Sequence, residues 1–135
     1  MVHPNHKVAR DFFTAFFAGE MDESFLTEDM SAWTTLGPLE RSPYVASVKQ
    51  VISLFQGPNA KFQYWIDAIT AEDDRAVVEV HSQGNFEDGE PYAMTYVFVL
   101  RIRDGKVASV AEHFNPIPVM EQMFPRMEQA PAPAA

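Results

Sequence analysis

The dipeptide Asp104-Gly105 stands between two strand-like runs, Tyr92 to Arg103 and Lys106 to Asn115. Asp-Gly in that setting is the strongest short-range hairpin signal, because a two-residue primed turn needs positive φ at both central positions. It commits the last third of the chain to antiparallel sheet. The first strand is long and apolar, whereas the second ends in Glu112-His113-Phe114-Asn115. A carboxylate at the end of a buried strand calls for a partner or a role, since charge is costly to desolvate.

Upstream, the hydrophobic period divides the chain in two. Asn5 to Ala18 reads as a helix, with Val8, Phe12 and Phe16 in one row, Ala9, Phe13 and Phe17 in the next, and Gly19 as its stop. Asp22 to Leu26 reads as a short second helix, and Ser31 to Thr35 as a short strand ended by Leu36-Gly37-Pro38. A third helix is expected with Ser42 as N-cap, Pro43 at the first helical position, and Val45, Val48, Ile52 and Phe55 inward; Gly57-Pro58 closes it. From Lys61 the period becomes 2, through Lys61 to Thr70 and Arg75 to Gly84. Helices placed ahead of a four-strand meander give an α+β class. One sheet of that length must curve over three helices, so a cone-shaped, highly curved antiparallel sheet with an internal cavity is expected. Residues 1–128 form the single domain, and 129–135 a disordered Pro/Ala tail.

With 19 acidic against 10 basic residues the net charge is −9, which argues against nucleic acid or an anionic membrane as partner. The chain has no cysteine, so disulfides and thiolate sites are excluded. MVHPNHK lacks the apolar core of a signal peptide and no run reaches membrane-spanning length, so a cytoplasmic protein is expected.

The stretches FFTAFFAGEMDESFLTEDMSAWTTLGP, RSPYVASVKQVISLF and YVFVLRIRDGKVASVAEHFNP resemble the SnoaL-like and ketosteroid-isomerase-like members of the nuclear transport factor 2-like superfamily. The resemblance spans about residues 6 to 120 and implies the cone fold, a homodimer built on the sheet's convex face, and a small-molecule pocket. It does not fix the chemistry, because this cone hosts unrelated functions. The three functional positions of the ketosteroid isomerases fall near Phe12, Thr34 and Phe98, none of which can act as they do. Of the limonene-epoxide hydrolase set, Glu79-Val80-His81 lacks the arginine, and Glu112 keeps one carboxylate position. The ending EHFNP is similar to that of phenazine-biosynthesis members, in which a glutamate at the position of Glu112 acts as acid or base.

Glu112 is therefore the first candidate catalytic residue: if it lines the cavity, desolvation should raise its pKa toward neutrality. Glu79, His81 and Gln83 share one strand face. That face either meets solvent or a second subunit, or brings His81 to Glu112 as a second proton-transfer group. Trp33, Tyr96, Phe98, Phe114, Phe16 and Tyr64 are either core or pocket lining, with Trp33 the preferred lining residue and Tyr96 a possible hydroxyl donor. The methionines from Met120 to Met127 pack on the sheet, on a second subunit, or as a lid. No metal and no cofactor are expected, because the histidines lack a ligand spacing. Two functional readings follow. One is a cofactor-free lyase, cyclase or isomerase acting on a hydrophobic metabolite. The other is a non-catalytic module that binds an apolar ligand or serves for dimerisation.

Overall fold

Helix α1, Pro4–Ala18, begins where His3 Nδ1 accepts from the Asn5 N–H at 3.1 Å. Pro4 suits the first turn, because it has no N–H to leave unpaired. The helix stops at Gly19, whose φ of 74° is the left-handed conformation in which its N–H donates back to the Ala15 and Phe16 carbonyls. Its buried stripe is Ala9, Phe12, Phe13, Phe16 and Phe17. Helix α2, Arg41–Ser53, buries Tyr44, Val45, Val48 and Ile52 at i, i+4 and i+3 spacing. The computed structural model describes residues 2–129; the Pro/Ala tail read from the sequence lies, from residue 130 on, outside them.

Six strands form one sheet: β1 Leu26–Thr34, β2 Gly37–Glu40, β3 Lys61–Glu72, β4 Arg75–Asn85, β5 Pro91–Arg103 and β6 Lys106–His113. Their order is β2-β1-β6-β5-β4-β3. The expected meander β3 to β6 is present, and Asp104 and Gly105 take φ of 53° and 75° in its last turn.

Four local expectations change. α2 starts one residue before the expected cap, at Arg41 with Glu40 as its N-cap, so Ser42 and Pro43 lie inside its first turn. The second helix is a single 3-10 turn, Glu23–Phe25, capped by the Asp22 carboxylate; it is too short to close α-helical hydrogen bonds before Leu26 enters the sheet. The first strand runs nine residues, its alternation hidden in the sequence by Thr27-Glu28-Asp29 and a register shift before Ser31. Leu36-Gly37-Pro38 does not end the sheet: β1 turns back at Thr35 and Leu36 so that Gly37–Glu40 pairs with it. The sheet is also not wholly antiparallel, because β1 runs parallel to β6. That pairing joins segments far apart in sequence, and no local signal announces it.

α1 and α2 cover one face. Phe13 and Phe16 pack on Phe98 at centroid distances of 4.5 and 5.7 Å, with Val78, Val80 and Leu100 beneath. A second apolar cluster gathers Phe55, Phe86, Tyr92, Met94, Val119 and Met123. Its last members come from a C-terminal segment made of α3 Pro116–Pro118, a π-helical turn Val119–Met123 and α4 Phe124–Gln129. Arg126 straps that segment to the loop between β4 and β5. It pairs with Asp88 at 2.7 Å and with Glu90, and lies 4.0 Å over the Phe86 ring. Among the described residues, no helix is long and apolar enough to cross a membrane.

Candidate functional site

Between the two apolar clusters lies a cavity of about 250 Å³. Its wall takes Phe16 and Phe17 from α1, Tyr44, Val48 and Ile52 from α2, Tyr92 and Tyr96 from β5, and Val119 and Met123 from the C-terminal segment. Leu36 and Phe124 line it while staying 44% and 40% exposed, so they mark its mouth.

Among the described residues, Glu112 is the sole charged residue of that lining. On β6 it lies beside Thr34 of β1 and opposite Phe98 of β5, so its side chain shares the helix-covered face. It is 8% exposed. The Tyr44 hydroxyl donates to Glu112 Oε1 at 2.7 Å. Among the described residues that is the only hydrogen bond to the carboxyl group. Burial pushes the Glu112 pKa up to about 7, against the opposing effect of the Tyr44 hydrogen bond. Tyr44 is in turn driven well above its ordinary value, by burial first and then by the Glu112 charge. It therefore stays a neutral donor across the ordinary pH range. A carboxyl group divided near neutrality between acid and base, with one oxygen tethered and the other unengaged, can give and take a proton.

The remaining polar groups of the wall are few. Thr34 Oγ1 donates to the Gly37 carbonyl and accepts from Leu36 N–H, both at 3.1 Å. Tyr92 Oη is buried, and the Tyr96 hydroxyl is its polar neighbour. Burial raises the Tyr92 pKa to about 12; that of Tyr96 is held well above its ordinary value, by burial first and then by the nearby Tyr92 and Glu112.

Of the residues singled out from the sequence, Glu112, Tyr96, Phe114 and Phe16 line this cavity. Four do not. His81 sits on the opposite sheet face, with Nδ1 2.7 Å from Asp67 Oδ2 and its ring stacked 4.6 Å from Trp65. It cannot pair with Glu112, because Val78 and Val80 take the inward positions of β4 and strand alternation sends His81 outward. Trp33 is turned out for the same reason: Ala32 and Thr34 are buried, and Trp33 lies 44% exposed against His113 at 5.0 Å. Phe98 and Tyr64 face inward but serve as packing behind the wall, Phe98 under Phe13 and Tyr64 stacked 4.3 Å from Phe17.

The wall residues that sequence reasoning missed include two tyrosines. Tyr44 shares an i, i+4, i+8 stripe with Val48 and Ile52, so a hydroxyl on an otherwise aliphatic helix row was the available signal. Tyr92 shares the face of Met94, Tyr96 and Phe98 on β5. Among the described residues, no group of three or more His, Asp or Glu side chains is placed to hold a metal ion.

The SnoaL-like domain profile matches residues 9–110. No curated protein matches the sequence significantly. Solved structures do share the fold. A candidate SnoaL-like polyketide cyclase from Jannaschia sp. CCS1 is 14% identical with a TM-score of 0.73, covering 89% of this chain and 94% of that one. An NTF2-like protein from Anabaena variabilis is 24% identical with a TM-score of 0.70, covering 85% and 94%. AclR, a candidate hydroxylase from Streptomyces galilaeus, is 16% identical with a TM-score of 0.71, covering 93% and 96%. At these identities the likeness concerns the fold alone.

Proposed function

The chain belongs to the SnoaL-like family of the nuclear transport factor 2-like superfamily, and from that premise we propose that it is a cofactor-free acid–base enzyme acting on a hydrophobic ring-bearing metabolite. The observation that carries the reading is Glu112, a lone carboxyl group buried in an apolar wall, tethered by Tyr44 and held near pKa 7. As the carboxylate, its second oxygen takes a proton from a carbon next to a carbonyl. The electron pair of the broken C–H bond moves onto the carbonyl oxygen, and the Tyr96 hydroxyl donates a hydrogen bond to the enolate so formed. The protonated Glu112 then returns its proton, either to another carbon of the conjugated system or to a departing oxygen. The first outcome is an isomerisation or ring closure and the second an elimination. The apolar wall keeps bulk water from quenching the enolate.

Solvent-isotope exchange tests the step without knowledge of the natural substrate. A panel of one- and two-ring ketones in D₂O, followed by proton NMR, should lose α-C–H signal faster with the protein than without it. Glu112→Gln should abolish that acceleration. Equal exchange by the two proteins overturns the proposal.

A second reading, a binding module without turnover, draws support from the lining itself: among the described residues, no other charged group stands beside Glu112. Ligand binding with no isotope exchange would favour it. Under either reading we propose a homodimer through the outer sheet face, where Trp33, Trp65 and Val97 are 44%, 40% and 36% exposed. Sedimentation of a Trp33→Glu, Trp65→Glu double variant as a monomer, against a dimeric parent, supports this, and a monomeric parent refutes it.

A further inference from the structure

Nothing in the cavity wall offsets the charge of Glu112. Its Oε1 accepts from the Tyr44 hydroxyl at 2.7 Å. Oε2 accepts no hydrogen bond among the described residues, yet it is not an enclosed atom, so it opens onto the cavity that Glu112 lines. Among the described residues the lining holds no Lys, Arg or His. A carboxylate desolvated in an apolar wall is thus one half of an ion pair whose other half the protein does not supply.

The rest of the wall suits a cation. Phe114 lies two residues beyond Glu112, and Tyr96 two residues before Phe98, which faces Glu112 across the ladder between β5 and β6. Both rings line the cavity, with centroids 6.2 Å apart at 60°. Aromatic rings carry negative faces that attract an organic cation, more strongly where water is excluded. An ammonium group entering the cavity loses its hydration, but the carboxylate has lost most of its own on folding, so only one partner remains to be desolvated. The net charge of −9 draws cations toward the chain and repels anions. Volume limits the ligand as well, because about 250 Å³ falls below the range of ~300–1,000 Å³ typical of pockets for drug-sized ligands. One or two rings fit that space.

We propose that this cavity binds a one- or two-ring amine in its protonated form, the ammonium N–H donating to Glu112 Oε2 and the rings lying against the apolar wall. Such a ligand occupies the base of the reaction proposed above. It competes with the substrate under the catalytic reading and is the ligand itself under the binding reading. The inference rests on the cavity being the ligand site and not on turnover, so it stands even if Glu112 exchanges no proton with a ketone.

The probes share one ring system and differ in the head group: 1-naphthylmethylamine, 1-naphthylmethanol and 1-naphthoate, titrated into the full chain and followed by protein NMR. At pH 8 wild type should bind the amine roughly tenfold or more tightly than the alcohol, and the naphthoate more weakly than either. Glu112→Gln should weaken the amine roughly tenfold or more, as expected for a charge-assisted hydrogen bond, and leave the alcohol within about threefold. In wild type alone, amine affinity should fall about ten- to thirtyfold from pH 8 to 5.5, as Glu112, with its pKa of about 7, takes up a proton. The other titratable groups of the wall are Tyr44 of α2 and Tyr92 and Tyr96 of β5. Burial holds all three neutral across that range, and α1, β1 and the C-terminal segment bring no titratable group to the lining. Any of four results overturns the inference: no amine binding by wild type, or binding no tighter than the alcohol; naphthoate bound as tightly as the amine; equal effects of Glu112→Gln on amine and alcohol; or amine affinity that stays flat between pH 8 and 5.5.

Discussion

Replacing Glu112 with glutamine should stabilise the protein by an amount that grows with pH, because the native state penalises the ionised carboxylate. The folded-state pKa of about 7 lies above the ordinary glutamate value of 4.5. Between those values the native state binds more protons than the unfolded chain, so wild-type stability falls as pH rises through that window and levels off above pH 7. The full effect is ~3 kcal/mol, from about 1.4 kcal/mol for each pKa unit of difference. About 2 kcal/mol of it accrues between pH 5.5 and 8.5, a range that avoids the isoelectric point near 4.7. Glutamine can still accept from Tyr44, and its buried NH₂ adds a cost of about 1 kcal/mol that does not vary with pH. The informative quantity is therefore the pH dependence of the difference between the two proteins, in which every other titrating group cancels. Urea unfolding followed by circular dichroism at half-unit pH steps measures it. A difference that rises by about 2 kcal/mol from pH 5.5 to 8.5 is expected. A flat difference would mean that Glu112 is hydrated in solution, and the acid–base proposal would lose its basis.

Tyr44→Phe removes the one hydrogen bond that favours ionised Glu112; the Glu112 pKa, read from carboxyl carbon NMR, should move above 7, with stability at pH 8 lower by roughly 1–3 kcal/mol. An unchanged titration would mean that the tyrosine hydroxyl is not its partner. Arg126→Ala releases the strap between the C-terminal segment and Asp88, Glu90 and Phe86. The carboxylates are about half exposed, so the loss should be only ~1 kcal/mol, read mainly as faster amide exchange over residues 119–127. Unaltered exchange there would show that apolar packing alone holds the segment down. His81→Ala, on the outer face, should leave isotope exchange and ligand affinity within about twofold of wild type, and a tenfold loss of either would return His81 to the site.

Much of this architecture is written locally in the chain. The phenylalanine rows of α1, the left-handed stop at Gly19, the alternation of β3 to β5 and the Asp104-Gly105 turn each depend on neighbours a few residues apart, and periodicity reads such neighbours well. The same alternation was ambiguous at Trp33 and His81. It states that two faces exist but not which one the helices cover, and both residues proved to be on the uncovered face. Phe98 and Tyr64 lay on the covered face but behind the cavity, a distinction of depth that a one-dimensional pattern does not carry.

The sequence by itself determined that helices precede a β-meander, that the interior is aromatic, and that one acid sits among apolar residues near the end of the last strand. Only the tertiary structure decided that Tyr44, 68 residues away, would meet that acid and that β1 would run parallel beside it. The division has one physical cause. Backbone geometry and side-chain period act over a turn or two, whereas desolvation and hydrogen bonding act between whichever groups packing brings together, however far apart they lie along the chain.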